Sequence, residues 1–185
     1  MITAVAIAIV LANDPNWNRW HISYLGENSG LAADFFNFSV MIGGALMVWF
    51  SFQLNRYLVK ENTTHNLHQP IHTTGVSIAV LIIAISVYCV GMFPLSYGRM
   101  PHDIFGYSIY FTCLFLTVAS PWLLPGMRKK FYIIPYLFHT LTLTIFILFW
   151  MGKSQSMYLA EVTTFISLAW WLDMMTSGRM FINKK

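Results

Sequence analysis

Five stretches of about twenty largely apolar residues limit what this chain can become. They are Phe35–Leu54, Thr73–Phe93, Ile104–Leu124, Phe131–Trp150 and Met157–Thr176, with Pro94, Pro101, Pro125 and the Gly178-Arg179 pair near their ends. At 1.5 Å per residue each is long enough for a hydrocarbon core about 30 Å thick. In hydrocarbon every backbone N–H and C=O must find its partner within the protein, so such runs fold as helices. Composition agrees: only 10% of residues are charged, against roughly a quarter in soluble proteins. The expected fold is all-α, a polytopic transmembrane bundle of about six spans that forms one integral domain over residues 1–185.

The sixth span would be Met1–Ala12, which is apolar but short and soon stopped by Pro15. It reaches only about 18 Å. A secretory signal ending Val10-Leu11-Ala12 is the rival reading, but such signals carry a basic leading region. A short first helix, with the start codon assigned late, is the expectation. With six spans, Arg56, Lys60, Arg128, Lys129, Lys130, Arg179, Lys184 and Lys185 fall on one face and only Arg19, Arg99 and Lys153 on the other. By the positive-inside rule both termini are then cytoplasmic, in a multi-pass protein of the cell (inner) membrane. Trp17, Trp20, Tyr24 and Tyr97 would belt the outer interface, Tyr57 and Tyr132 the inner one.

The net charge of +4 is small and lies in loops and tail, which excludes a nucleic-acid-binding patch and leaves the bilayer as the principal partner. Cys89 and Cys113 both sit inside apolar runs, so packing is their expected role. In the loop between the second and third spans His68 and His72 are four residues apart, but Pro70 between them disfavours the helix that would let them share a metal. The sequon Asn62-Thr63-Thr64 falls on the cytoplasmic face, where it would not be used. The chain has no phosphate-binding glycine loop, no Gly-x-Ser-x-Gly and no His-Glu-x-x-His. It also has no lysine within a span and no paired broken helices of the kind large transporters use.

The outer face is where polar residues collect. His21, Ser23, Glu27, Asp34 and Asn37 lie near the first outer loop, Arg99, His102 and Asp103 near the second, and Glu161 one turn into the last helix. Taken singly, Asp34 could cap the second helix, and Asp103 and Glu161 would favour the positive ends of their helices. Together, charges so close to hydrocarbon point to a wet outer pocket. His21, Ser23, Glu27, Asn37, Arg99, His102, Asp103 and Glu161 are its candidate ligand-binding residues, and His21 with His102 is a candidate metal pair. Glu27 and Asp103 would raise the imidazole pKa values, and burial among Trp17, Trp20 and Phe93 would lower them. His139 sits about 12 Å into its helix, near mid-membrane, where a hydrogen bond to a neighbour's Thr or Ser is the ordinary role and a ligand or proton relay the sharper one. Asp173 is expected to pair with a tail cation such as Arg179.

The stretch His21-Ile22-Ser23-Tyr24-Leu25-Gly26-Glu27, with Phe36-Asn37, Gly43-Gly44 and Gly91-Met92-Phe93-Pro94 followed by His102, resembles the bacterial membrane family catalogued as domain of unknown function 998. More distantly it is similar to the DRAM/Frag type of eukaryotic membrane protein. The resemblance covers nearly the whole chain and implies that the first outer loop and the Phe-Pro…His stretch form a shared site. It names no reaction. That family usually has an acid after the serine, where this chain has Tyr24, with Glu27 as a replacement. Three functions follow as expectations. The first is an outward-facing polar pocket that binds, senses or carries a lipid headgroup, a small amphiphile or a metal ion. The second is a hydrolase- or cyclase-like membrane enzyme using a His/carboxylate pair or a metal. The third is a structural subunit of a homo-oligomer or larger membrane complex. No cofactor is assigned.

Overall fold

The computed structural model describes residues 2–16, 21–27, 30–64, 72–125, 130–153 and 157–176. Among these residues six α-helices follow one another: α1 (Ile2–Ala12), α2 (Leu31–Thr64), α3 (Thr73–Met92), α4 (Arg99–Leu123), α5 (Lys130–Trp150) and α6 (Tyr158–Thr176). Two short 3-10 turns, Ile22–Gly26 and Leu95–Tyr97, sit in the α1–α2 and α3–α4 connections. Among the described residues there is no strand.

Four helices, α2 to α5, are long and apolar enough to cross a membrane. Their surfaces agree, because large side chains such as Phe38, Trp49, Phe52, Phe111 and Leu137 point outward. A soluble protein rarely leaves so much contiguous apolar surface uncovered. The other two helices differ for separate reasons. α1 has 11 residues, too few for the bilayer core. α6 has 19 residues, but Glu161, Thr163, Thr164, Ser167 and Asp173 lower its hydropathy below that of the other four.

Several boundaries depart from the sequence expectation. α2 does not stop at Leu54 but runs to Thr64, 34 residues in all. That is about 51 Å of helix, some 20 Å more than the bilayer core is thick. Leu54 and Leu58, one turn apart, are both buried and carry the packing beyond the expected end. α4 begins at Arg99 rather than Ile104. Pro101 therefore lies inside the first turn, where its missing N–H breaks no intrahelical bond. Asp103 is consequently beyond that turn, and the helix-dipole role expected of it does not apply. Asp34 lies in the first turn of α2 rather than at its cap.

α3 is the most buried of the four long helices. Val76, Val80, Ile83 and Val87 recur at intervals of four and three and are buried to within 1%, the spacing of a coiled-coil-like seam. α2 covers this seam along its length. Ser77 Oγ donates to Asn55 Oδ1 across the pair at 3.2 Å. Two glycines set the distance between the helices. A Cβ on Gly44 would stand 2.4 Å from the Tyr88 backbone nitrogen, and one on Gly91 would stand 2.6 Å from the Asn37 carbonyl oxygen. Small residues are what allow helices to pack closely where no water drives them together.

The loops close both ends of the bundle. The two 3-10 turns touch each other at one end, and at the other the His72 N–H donates to the Leu123 carbonyl at 2.9 Å. Gly44→Ala sets a helix-propensity gain of about 1 kcal/mol against overpacking that costs about 1–3 kcal/mol. A backbone atom is the neighbour here, so the upper end of that range applies and the variant should lose about 2 kcal/mol in SDS-unfolding titrations. Gly106→Ala, whose Cβ would meet nothing within 4 Å, should be neutral or slightly stabilising.

Candidate functional site

The motif residues assemble from the α2–α3 pair outward. α3 ends at Met92 with Phe93 as its cap, and Pro94, with no N–H to continue the helix, turns the chain into the second 3-10 turn. The Phe93 carbonyl, left free at the helix end, accepts a hydrogen bond from His102 Nδ1 at 2.9 Å. His102 is buried, 7% exposed, in α4. Phe93 also stacks on Phe105 of α4, with ring centroids 5.9 Å apart. The Phe-Pro…His stretch is thus a clasp between the end of α3 and the start of α4.

The loop after α1 is held similarly. Asn37 Nδ2 on α2 donates to the Gly26 carbonyl at 3.0 Å, and Leu25 is buried in the core. From α6, Glu161 Oε2 accepts the Ile22 N–H at 2.5 Å. One carboxylate of the last helix therefore anchors the loop that follows the first.

His21, just before Ile22, is half-buried. Its Nδ1 shares a hydrogen bond with Ser23 Oγ at 2.9 Å, and its ring lies edge-on to Tyr24 at 6.4 Å. Burial is the main cause that pulls its pKa from the usual 6.5 to about 4; His102 adds to the shift, Asp103 opposes it and Arg99 adds again. Of the two opposed effects expected from sequence, burial outweighs the one acid that acts on His21, Asp103. Arg99 Nε donates to Asp103 Oδ2 at 3.2 Å, an i,i+4 pair with side chains 84% and 37% exposed, worth little in itself.

The structure thus brings His21, Ser23, Arg99, His102, Asp103 and Glu161 to one end of the bundle, where Asn37 holds the loop. Glu27 follows the first 3-10 turn, and its N–H caps that turn through the Tyr24 carbonyl. Among the described residues no three His, Cys, Asp or Glu converge to hold a metal ion, so His21 and His102 have no third ligand there. Trp17, Arg19 and Trp20, the His65–Pro70 stretch, Arg128, Lys129 and the tail cations including Arg179 lie outside the described residues.

His139 belongs elsewhere. It is buried between α4, α5 and α6, and its Nδ1 faces Ser167 Oγ at 3.0 Å and Thr117 Oγ1 at 3.4 Å. Sequence reading missed the extent of this polar seam, although Thr163, Ser167 and Trp171 recur every four residues along α6. Compared with protein-family models, with curated proteins and with solved structures, the chain finds no match.

The depressed His21 pKa has a pH signature. A folded value near 4 below an unfolded 6.5 means that the unfolded chain takes up the proton first as pH falls. This contribution to stability is full above pH 6.5 and is lost as pH drops towards 4. The melting temperature of wild type should therefore fall more steeply over that window than that of His21→Gln. Parallel curves would place His21 in water.

Proposed function

We propose that this chain is a multi-pass membrane binding protein whose motif end faces outward and takes the polar headgroup of a lipid or small amphiphile. The observation that carries this reading is the convergence of His21, Arg99, His102, Asp103 and Glu161, delivered by the α1–α2 connection, α4 and α6, beside helices with apolar outer faces. An amphiphile with its tail along those faces would bring its headgroup to that depth. A neutral His21, with Nδ1 engaged by Ser23, keeps Nε2 for a ligand, and exposed Arg99 offers a cation to phosphate or carboxylate. The excess of basic residues at the other face supports cytoplasmic termini and an inner-membrane location. The motifs resembling the domain of unknown function 998 are gathered at this same end.

Two measurements test the proposal. Cysteine placed at Ser96 should react with an impermeant maleimide in intact cells, and cysteine at Thr63 only after permeabilisation; the reverse sinks the orientation. For binding, the protein in nanodiscs of phosphatidylethanolamine and phosphatidylglycerol is released into a native mass spectrometer. Wild type should retain a phospholipid that His21→Gln and Arg99→Gln lose about tenfold, as expected when a charge-assisted hydrogen bond is removed. His72→Gln, at the opposite end, should retain it. Equal retention in all three variants excludes a headgroup site at the motif end.

A further inference from the structure

Between α4, α5 and α6 lies a second polar cluster, in the bundle interior. Three rungs cross it. Thr142 and Thr163 share a hydrogen bond at 2.6 Å, His139 Nδ1 meets Ser167 Oγ at 3.0 Å, and Trp171 Nε1 donates to Ser120 Oγ at 3.1 Å.

The middle rung defines the state of the imidazole. His139 Nδ1 also lies 3.0 Å from the Pro135 carbonyl oxygen. A carbonyl can only accept, so the proton of the neutral ring belongs on Nδ1 and Nε2 holds a lone pair. Nε2 is buried, with no hydrogen-bond partner among the described residues, in a side chain 3% exposed. Beside it, on α4, the ring of Tyr110 lies at 28° to the imidazole with centroids 6.4 Å apart. Tyr110 is 7% exposed, and its Oη is likewise buried and without a partner. Buried polar groups are nearly always satisfied, and two neighbouring exceptions on adjacent rings call for a common cause.

We propose that Tyr110 Oη and His139 Nε2 form a binding site for one hydroxyl group, from water or from a membrane-dissolved alcohol. The pair consists of an acceptor that needs a donor and a phenol that needs an acceptor. A hydroxyl supplies both at once. A carbonyl would satisfy Tyr110 alone, a metal cation His139 alone, and an alkyl group neither. A lateral approach suits an alcohol: α4 packs along α3 but meets α5 at few points. Phe111 of α4 and Phe146 of α5 both touch Tyr110, and Phe111 faces outward.

The test uses the full chain, labelled with [15N]histidine, in phosphatidylcholine nanodiscs. The His139 ring signal is assigned by its loss in His139→Gln. Cross-relaxation between water and that ring identifies water as the hydroxyl. A shift of Nε2 on adding 1-dodecanol, but not dodecane, identifies an alcohol. In Tyr110→Phe either response should weaken at least tenfold. No response to water or dodecanol in wild type, as a direct Tyr110–His139 bond would give, overturns the proposal; so does an undiminished response in Tyr110→Phe. The wild-type measurements stand even where Tyr110→Phe fails to fold. They are independent of the headgroup site, which lies at the end of the bundle.

Discussion

The distance between α2 and α3 governs the motif end. Helices in lipid gain little from burying apolar surface against each other, because the tails they leave are equally apolar. What holds them is close contact, and Gly44 and Gly91 permit it by placing bare backbone against Tyr88 and Asn37. From that contact the rest of the end follows in sequence. The close approach fixes Asn37, whose amide holds the Gly26 carbonyl; it also fixes the end of α3, whose Phe93 carbonyl receives His102. The seated loop then presents Ile22 to Glu161, tying α6 to the first connection.

Two kinds of polar bonding divide the molecule. At the motif end, side chains satisfy backbone groups that helix ends and turns leave free. Within the bundle, side chains meet side chains across helices, each such bond worth about 0.6–2 kcal/mol. The two histidines away from the clasp differ in their surroundings. His21 touches a serine two residues away and is electrostatically coupled to Arg99, His102 and Asp103. His139, on α5, meets hydroxyls from α4 and α6.

The helices were legible because apolar length is written directly in the residues. Their ends were less so. Leu58 is fully buried beyond the expected end of α2, and nothing within the Asn55–Thr64 stretch announces that burial. Pro101 read as a stop, since a proline breaks a helix interior, yet it is compatible with a first turn; the five-residue error moved Asp103 out of the dipole position and into an ion pair with Arg99. The gathering of His21, Arg99, His102 and Glu161 at one end could be read from alternation of spans alone. Which of them bond to backbone could not, because the Phe93 carbonyl and the Ile22 N–H carry no side-chain signature. Tyr110 escaped notice for a similar reason: a tyrosine in an apolar helix reads as packing until its hydroxyl is found without a partner.

The motif end is framed by residues from the first connection, α2, α3 and α4. Gly44 and Gly91 set the helix spacing, Asn37 and Gly26 hold the loop, and Phe93, Pro94 and His102 form the clasp. Such a set specifies the shape of an opening and leaves its chemistry to whatever side chains stand around it. Here those are His21 with Ser23, the Arg99–Asp103 pair and Glu161. Of these, Arg99, Asp103 and Glu161 lie outside the quoted motif. The same frame would therefore tolerate different charges at that depth. A ligand preference would then follow from the residues one turn away from the motif, and substitutions within the motif would act first on the frame that positions them.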